Sequence, residues 1–224
     1  MSKKLILSLG GVLATLLLAG VPSGAIAGEF TADCELRATC TATMTMGDIE
    51  LEDSNGAPFT CERGEGTASI TTNSSTGTMK VIFAGCRELA TPFHFTCSNT
   101  STAGRVEVNT LTSHDVYLEP EGETPGILLT GFNVTFTCSG FRQNTVTGGL
   151  IGVLQAPNCG TFQTGHSIAF ERSAAGQQAY TQVTTAGPVF QLLINSDDGE
   201  PYIATSLTAL LTINYVKDRV KLTC

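Results

Sequence analysis

The sequence predicts an all-β fold, namely an antiparallel β-sandwich or barrel that is stapled by disulfides. Three observations lead to this prediction. Apolar and polar residues alternate with a period of two in several short segments, which is typical of strands with one buried face. Turn-forming Gly, Pro and Asn residues separate these segments. The chain also has eight cysteines, an even number that suits four disulfides in an oxidising compartment.

Residues 1–27 have the features of a cleavable signal peptide. Lys3 and Lys4 precede an apolar stretch at 5–19, and the small residues Ala25-Ile26-Ala27 suit a signal peptidase. The alternative, a transmembrane anchor, needs about 20 apolar residues and no cleavage site. We therefore expect a mature chain of residues 28–224, secreted or on the exterior of the cell envelope, with no membrane span.

The charge balance argues against nucleic acid as a partner. The full chain has a net charge of −8, and removal of the signal peptide with its two lysines leaves −10. An acidic protein without a basic run repels a phosphate backbone. Only 14% of the residues are charged. Much of the remaining polar surface is threonine, which packs well on a pleated sheet.

The clearest strand pattern lies in residues 77–97. Met79, Val81 and Phe83 alternate with polar neighbours, and a second short strand follows at 93–97. Cys86 ends the first strand and Cys97 ends the second. Because the ends of a hairpin are close together, we predict a Cys86–Cys97 disulfide, which would stabilise the fold by roughly 2–3 kcal/mol.

Several other segments are predicted strands, and one loop interrupts them. The segment 203–216 also fits a helical face, but its β-branched residues favour a strand. In 41–51, Met44, Met46 and the acidic residues that follow are expected on one face. The Pro- and Gly-containing loop 119–126 is the clearest break. We expect one domain over 28–224, with a division near 119–126 as the alternative. The predicted strands are 41–51, 67–72, 105–108, 115–118, 132–138, 150–154, 168–170, 189–194 and 203–216.

Part of the chain, roughly residues 60–155, resembles a set of uncharacterised secreted proteins common in soil actinobacteria. The resemblance rests on turn glycines and cysteines in a fixed order: Gly-Thr-x-x-Val-x-Phe-x-Gly-Cys at 77–86, Cys97-Ser98, the segment 104–111, Pro125-Gly126, Phe136-Thr137-Cys138 and the segment 148–152. It implies an exported β-protein and supplies no activity.

The resemblance also implies a disulfide pattern. Its four cysteines match Cys61, Cys86, Cys97 and Cys138, which suggests Cys86–Cys97 together with Cys61–Cys138. The other four cysteines depart from the pattern, and for them we propose Cys34–Cys40 and Cys159–Cys224.

The sequence gives little support for an enzyme. It has neither a G-x-S-x-G nor an H-E-x-x-H motif. Ser113, His114 and Asp115 are consecutive, but neighbours on a strand point to opposite faces and so cannot form a catalytic triad by themselves. His94, between two phenylalanines, is expected to face solvent. A site assembled from several strands would not be visible in the sequence.

One acidic loop is a candidate calcium site, and no other cofactor is expected. Calcium prefers six to eight oxygen ligands from a bendable loop. The candidate ligands are Asn195, Asp197, Asp198 and Glu200.

The function that we expect is binding or protection at the cell surface by a non-enzymatic secreted or envelope-associated protein. Loops at the ends of a β-fold often carry recognition, and an envelope or extracellular partner is expected. The lack of Trp argues against a carbohydrate module. The sequons at Asn73, Asn99 and Asn133 are interpreted as chance in a Ser- and Thr-rich chain. The alternative is an exported hydrolase with a dispersed active site.

Overall fold

A computed structural model of the chain describes residues 29–53, 58–90, 93–118, 124–139, 142–173, 177–183, 189–196 and 202–224. The predicted signal peptide lies outside the described residues. So do residues 119–123 of the predicted loop and three candidate calcium ligands, Asp197, Asp198 and Glu200.

The described residues form strands and connecting loops, which confirms the predicted all-β, disulfide-stapled, antiparallel fold. The strands are β1 (Thr31–Cys34), β2 (Thr39–Met46), β3 (Ile49–Asp53), β4 (Pro58–Cys61), β5 (Arg63–Thr71), β6 (Thr76–Ala84), β7 (Arg87–Ala90), β8 (Phe93–Ser98), β9 (Val106–Glu107), β10 (Leu111–Leu118), β11 (Thr124–Cys138), β12 (Arg142–Gln155), β13 (Phe162–Gln163), β14 (Gly165–Phe170), β15 (Leu192–Ser196), β16 (Ile203–Tyr215) and β17 (Val220–Thr223).

The large sheet closes on itself. Its wall has eight segments in chain order: β2 with β3, β4 with β5, β6 with β7, β8 to β10, β11, β12, β14 with β15, and β16. Each segment pairs antiparallel with the next, and β16 pairs with both β2 and β3 to complete the circle. Such an up-and-down order leaves no long unpaired edge.

The interior of this closed sheet is one apolar core, because alternate side chains of each wall segment point inward. The predicted alternations in β6 and β11 are confirmed. The inward residues of these two strands are buried: Met79, Val81, Phe83, Phe132, Val134, Phe136 and Cys138. The core draws on residues from both sides of the predicted 119–126 loop, and β10 pairs with β11 across it.

A small second sheet, in the order β1-β17-β13, covers one end of the core. We call it the cap. Its residues Ala32, Val220 and Leu222 are buried in the main core. Two disulfides hold it, since Cys34–Cys40 joins β1 to β2 and Cys159–Cys224 fixes the C-terminal residue. Both pairs are the ones proposed from the sequence.

An ion pair between a buried carboxylate and a partly exposed arginine lies toward the opposite end of the wall. Glu88 of β7 is buried, and the Nη1 of Arg142, at the start of β12, donates to its Oε1 at 2.6 Å. The two strands are separated in the sheet by β8 and β11, so this contact ties non-adjacent segments together.

A strap formed by the described parts of residues 171–191 covers the outside of the wall. Tyr180, Val183 and Phe190 pack on outward-facing apolar side chains of β10, β11 and β12, namely Val116, Leu118, Leu128, Ile151 and Val153. This contact makes a second, smaller apolar cluster outside the closed sheet.

The predicted disulfides Cys86–Cys97 and Cys61–Cys138 are wrong. The bonds are Cys61–Cys86 and Cys97–Cys138, with Cα–Cα distances of 4.0 and 3.9 Å. Cys97 and Cys138 are register partners. Extending the β4–β7 register by one residue places Cys61 opposite Cys86, and extending the β7–β8 register places Cys86 opposite Cys97. The four cysteines therefore form one row across four neighbouring strands.

Strand spacing explains this pairing. A Cys86–Cys97 bond would leave the two outer cysteines three strand spacings apart, about 14 Å. A disulfide needs Cα atoms within about 7 Å. Only bonds between the first and second and between the third and fourth members of the row connect all four cysteines.

Other expectations need smaller corrections. The predicted strand 41–51 is two strands, because Gly47 and Asp48 interrupt it and shift the alternation. Met44 and Met46 are consequently buried, whereas Glu50 and Glu52 face outward. The strand predicted at 189–194 begins only at Leu192, and 124–126 belong to β11. The segment 203–216 is a strand, as predicted.

Candidate functional site

A polar cluster lies inside the apolar core, next to the cap. Ser113 and Asp115 of β10 face His166 of β14 and Tyr215 of β16 around one enclosed cavity. The Nδ1 of His166 lies 3.0 Å from the Tyr215 hydroxyl, and the two rings meet edge to face. The Nε2 of His166 is buried and has no hydrogen-bond partner among the described residues.

The strand period explains why these residues meet. In β10, residues 113 and 115 point inward, and His114 points outward, where its Nδ1 lies 3.5 Å from a Glu29 carboxylate oxygen. The consecutive Ser113, His114 and Asp115 therefore do not form a triad, as predicted from the strand geometry. The histidine that shares the cavity with Asp115 comes from β14 instead.

Burial changes the protonation of this cluster. Burial, with a smaller effect of the nearby Glu29 carboxylate, raises the pKa of Asp115 to about 8. Burial also lowers the pKa of His166 below its ordinary value. Burial and the Asp115 charge both raise the pKa of Tyr215. At neutral pH the cluster is consequently uncharged, with Asp115 as a carboxylic acid that can donate a hydrogen bond.

The cavity is too small for a substrate. Its volume is about 30 Å³, and apolar side chains of the wall and Leu222 of the cap line the rest of it. A water molecule needs roughly 10–15 Å³ on this measure, so the cavity has room for about two. Two further interior cavities have volumes of about 10 and 40 Å³ and are lined by apolar side chains. These cavities are suited to packing or to water, not to an organic ligand.

An outer cleft beside β6 and β11 has a polar lining, and its volume is about 430 Å³. The side-chain amides of Asn99 and Asn109 in this cleft are already used by the fold. Asn99 exchanges two hydrogen bonds of 2.8 Å with the backbone of Glu107. Asn109 bonds the Gly131 carbonyl and the Asn133 N–H. These amide groups therefore hold the loops together and are not free to bind a sugar.

The predicted calcium ligands are only partly described. Asn195 lies in β15, opposite Thr145 of β12, and the other three lie outside the described residues. Calcium at this loop stays a prediction.

Glu50 and Glu52 are both contacted by Arg172 of the strap. His94 is exposed, as expected from its position between phenylalanines.

The most exposed large apolar residue among the described ones is Leu36, with 74% of its surface accessible. It lies in the short loop 35–39 that the Cys34–Cys40 bond closes, which we call the disulfide loop. The next residues, Arg37, Ala38 and Thr39, are also exposed. Single exposed apolar side chains are common on protein surfaces, so the feature that distinguishes Leu36 is the backbone that carries it.

Neighbouring segments hold the disulfide loop on two sides. On one side, the Glu35 N–H donates to the Arg219 carbonyl at 3.0 Å, and the Leu36 N–H donates to Asp218 Oδ1 at 3.1 Å. On the other side, the Thr72 hydroxyl accepts from the Cys34 N–H at 2.8 Å and donates to the Arg37 carbonyl at 3.1 Å. The backbone of this loop is therefore fixed although its side chains are exposed.

An ion pair also holds the disulfide loop against the segment that contains Arg219. Arg219 makes a two-pronged contact with Glu35, with Nε 2.6 Å from Oε2. The hydrogen bond from Arg219 lowers the pKa of Glu35, and the same bond raises the pKa of Arg219. Among the described residues, Arg37 and Lys217 take part in no ion pair. Arg37 directly follows Leu36 in the chain, and Lys217 directly precedes Asp218, whose carboxylate accepts the Leu36 N–H.

Sequence reasoning missed both features. The interior cluster joins residues that are distant in the chain, and only the sheet register brings them together. The disulfide loop had a local signal, namely two cysteines six positions apart with Leu and Arg between them. That signal would have pointed to a constrained surface loop.

The four disulfides are typical of a protein from an oxidising, extracellular-type compartment. In the described part of the chain, no helix is long and apolar enough to cross a membrane. No protein-family model, no curated protein and no solved structure matches the chain.

Proposed function

We propose that this chain is a non-enzymatic binding protein of the cell exterior, secreted or associated with the envelope, and that it binds a protein partner through the disulfide loop. The observation that carries the proposal is the exposure of Leu36 on a backbone fixed from both sides. A rigid loop loses little conformational freedom when it binds, so an exposed anchor on it contributes most of its contact energy to affinity.

The chemistry around Leu36 describes the partner. A leucine side chain fits an apolar pocket, and Arg37 and Lys217 favour carboxylates at the rim of that pocket. The partner is therefore a protein with an apolar pocket bordered by acidic groups. A flat anionic surface would use the two cations and leave Leu36 with no pocket to fill.

The alternative function, an exported hydrolase, draws on the cluster of Asp115, His166 and Tyr215. These groups are of the kinds used in acid–base catalysis. The interior cavity that they share has a volume of about 30 Å³, which admits water and excludes a substrate. His166 also lines an outer polar pocket of about 320 Å³, but Asp115 and Tyr215 do not, which favours the binding function.

The proposal is tested by capture from the envelope and culture medium of the producing cell, followed by a direct affinity measurement with the purified partner. The variants are Leu36→Ser and, as a matched control, Leu210→Ser, since Leu210 is 53% exposed on the outer face of β16. We expect Leu36→Ser to weaken binding at least about 30-fold, the loss typical of an interface anchor. Leu210→Ser should bind as the unchanged chain does. Equal affinity for all three chains would contradict the proposal.

A further inference from the structure

We propose that the disulfide loop inhibits serine endoproteases that cleave after apolar residues. The protease would cleave the Leu36–Arg37 peptide bond, and the same bond would re-form before the product leaves the enzyme. This inference rests on the proposed function, because it names the class of partner for the same loop. The evidence is the set of hydrogen bonds on each side of the Leu36–Arg37 peptide bond.

The carbonyl of Leu36 is available to a protease. Among the described residues, its oxygen accepts no hydrogen bond, whereas the next carbonyl, that of Arg37, accepts from the Thr72 hydroxyl at 3.1 Å. A serine protease must place the carbonyl oxygen of the cleaved bond in its oxyanion hole. Cleavage is thereby directed to the bond after Leu36 and away from the bond after Arg37.

The residues after the bond are held in place independently of it. Thr72 binds the Arg37 carbonyl through its hydroxyl and the Ala38 carbonyl through its N–H, at 2.9 Å for the latter. The Cys34–Cys40 bond keeps both halves of the loop on the same molecule. A cut between Leu36 and Arg37 would therefore leave the new amine beside the new acyl group.

The chemical step balances without any other reagent. The serine hydroxyl of the protease adds to the Leu36 carbonyl carbon, the bond to the Arg37 nitrogen breaks, and that nitrogen takes the proton from the catalytic histidine. The acyl-enzyme so formed is attacked by the retained Arg37 amine, which returns the proton and restores the peptide bond. Because the amine stays in position, this reversal outcompetes hydrolysis by water.

One hydrogen bond has to change when a protease binds. The Leu36 N–H donates to Asp218 Oδ1, and in an enzyme cleft this N–H would pair with the enzyme. Asp218 Oδ1 also accepts from the Arg219 N–H at 2.9 Å, so it keeps a partner after the exchange. The exchange therefore leaves no buried carboxylate oxygen newly unpaired at that position.

The test measures inhibition of three purified proteases by the full mature chain. Chymotrypsin and subtilisin accept apolar residues before the cleaved bond, and trypsin accepts Arg or Lys. We expect stoichiometric inhibition of chymotrypsin or subtilisin, slow appearance of a chain cut between Leu36 and Arg37, and no inhibition of trypsin. Leu36→Gly should weaken inhibition at least about 30-fold. Leu210→Gly should have no effect.

Three results would overturn the inference: no inhibition of either apolar-specific enzyme, rapid complete cleavage at this bond without inhibition, or inhibition of trypsin through Arg37. None of these results would contradict the proposed function, which is the binding of a protein partner through Leu36. A partner that binds through Leu36 and is not a protease would leave the proposed function standing and this inference refuted.

Discussion

Cys86 and Cys97 lie opposite each other in the β7–β8 hairpin, and each forms its disulfide with a different cysteine. The Cys97 N–H donates to the Cys86 carbonyl at 3.0 Å, and each sulfur is bonded to the strand on its other side. The hairpin is therefore held from its flanks, by β4 on one side and β11 on the other.

Peptide mapping of the unreduced protein should recover Cys61–Cys86 and Cys97–Cys138 and no Cys86–Cys97 peptide. Replacing Cys97 and Cys138 together by Ala should lower the free energy of unfolding by about 4 kcal/mol, because that bond closes a long loop. Chemical denaturation measures this loss. Recovery of a Cys86–Cys97 peptide from native protein would contradict the row of four cysteines.

The raised pKa of Asp115 predicts that stability falls as pH rises between about 4 and 8. Below about 4 the carboxyl holds its proton in both states. Between these values the unfolded chain releases the proton and the folded chain keeps it, so each pH unit costs up to about 1.4 kcal/mol. Above about 8 the folded chain ionises as well, and the loss is complete.

Urea unfolding at several pH values tests this prediction, with Asp115→Asn as the comparison. The variant keeps His166, whose lowered pKa acts in the opposite direction, with stability lost as pH falls below about 6.5. The stability of the unchanged chain should fall relative to the variant as pH rises from 5 to about 8. Parallel curves for the two chains would show that Asp115 titrates normally.

The Glu88–Arg142 ion pair predicts that removing one arginine side chain lowers the free energy of unfolding. Arg142→Ala leaves a buried carboxylate without its partner, which should cost about 2 kcal/mol of unfolding free energy, less than for a fully buried pair because Arg142 is partly exposed. The matched control is Arg87→Ala, because Arg87 and Glu62 are both exposed and 4.0 Å apart. That change should cost less than about 1 kcal/mol. Similar losses for both variants would mean that the burial of Glu88 does not make its pair with Arg142 more important for stability than an exposed pair.

Local pattern predicted the strands well and their pairing poorly. Met79, Val81 and Phe83 could be assigned to the core because the strand period alone decides which side chains face inward. The pairing within the row Cys61, Cys86, Cys97 and Cys138 could not, because it depends on the register of strands that are far apart in the chain. Gly47 and Asp48 interrupt the strand, so even-numbered positions face inward in β2 and odd-numbered positions in β3.

The candidate sites were hidden for the same reason. Asp115, His166 and Tyr215 come from three strands, and their proximity follows from the closed sheet rather than from spacing. The disulfide loop is local, but its rigidity depends on Thr72 and Asp218, which belong to turns elsewhere in the chain. Exposure of Leu36 is consequently a property of the folded chain that composition does not reveal.

Recognition through the disulfide loop can be measured with a photoreactive leucine analogue placed at position 36 or, separately, at position 210. Each labelled chain is irradiated with envelope and medium proteins of the producing cell. We expect one discrete protein cross-linked from position 36 and none from position 210. The same cross-linked proteins from both positions, or none from position 36, would contradict it.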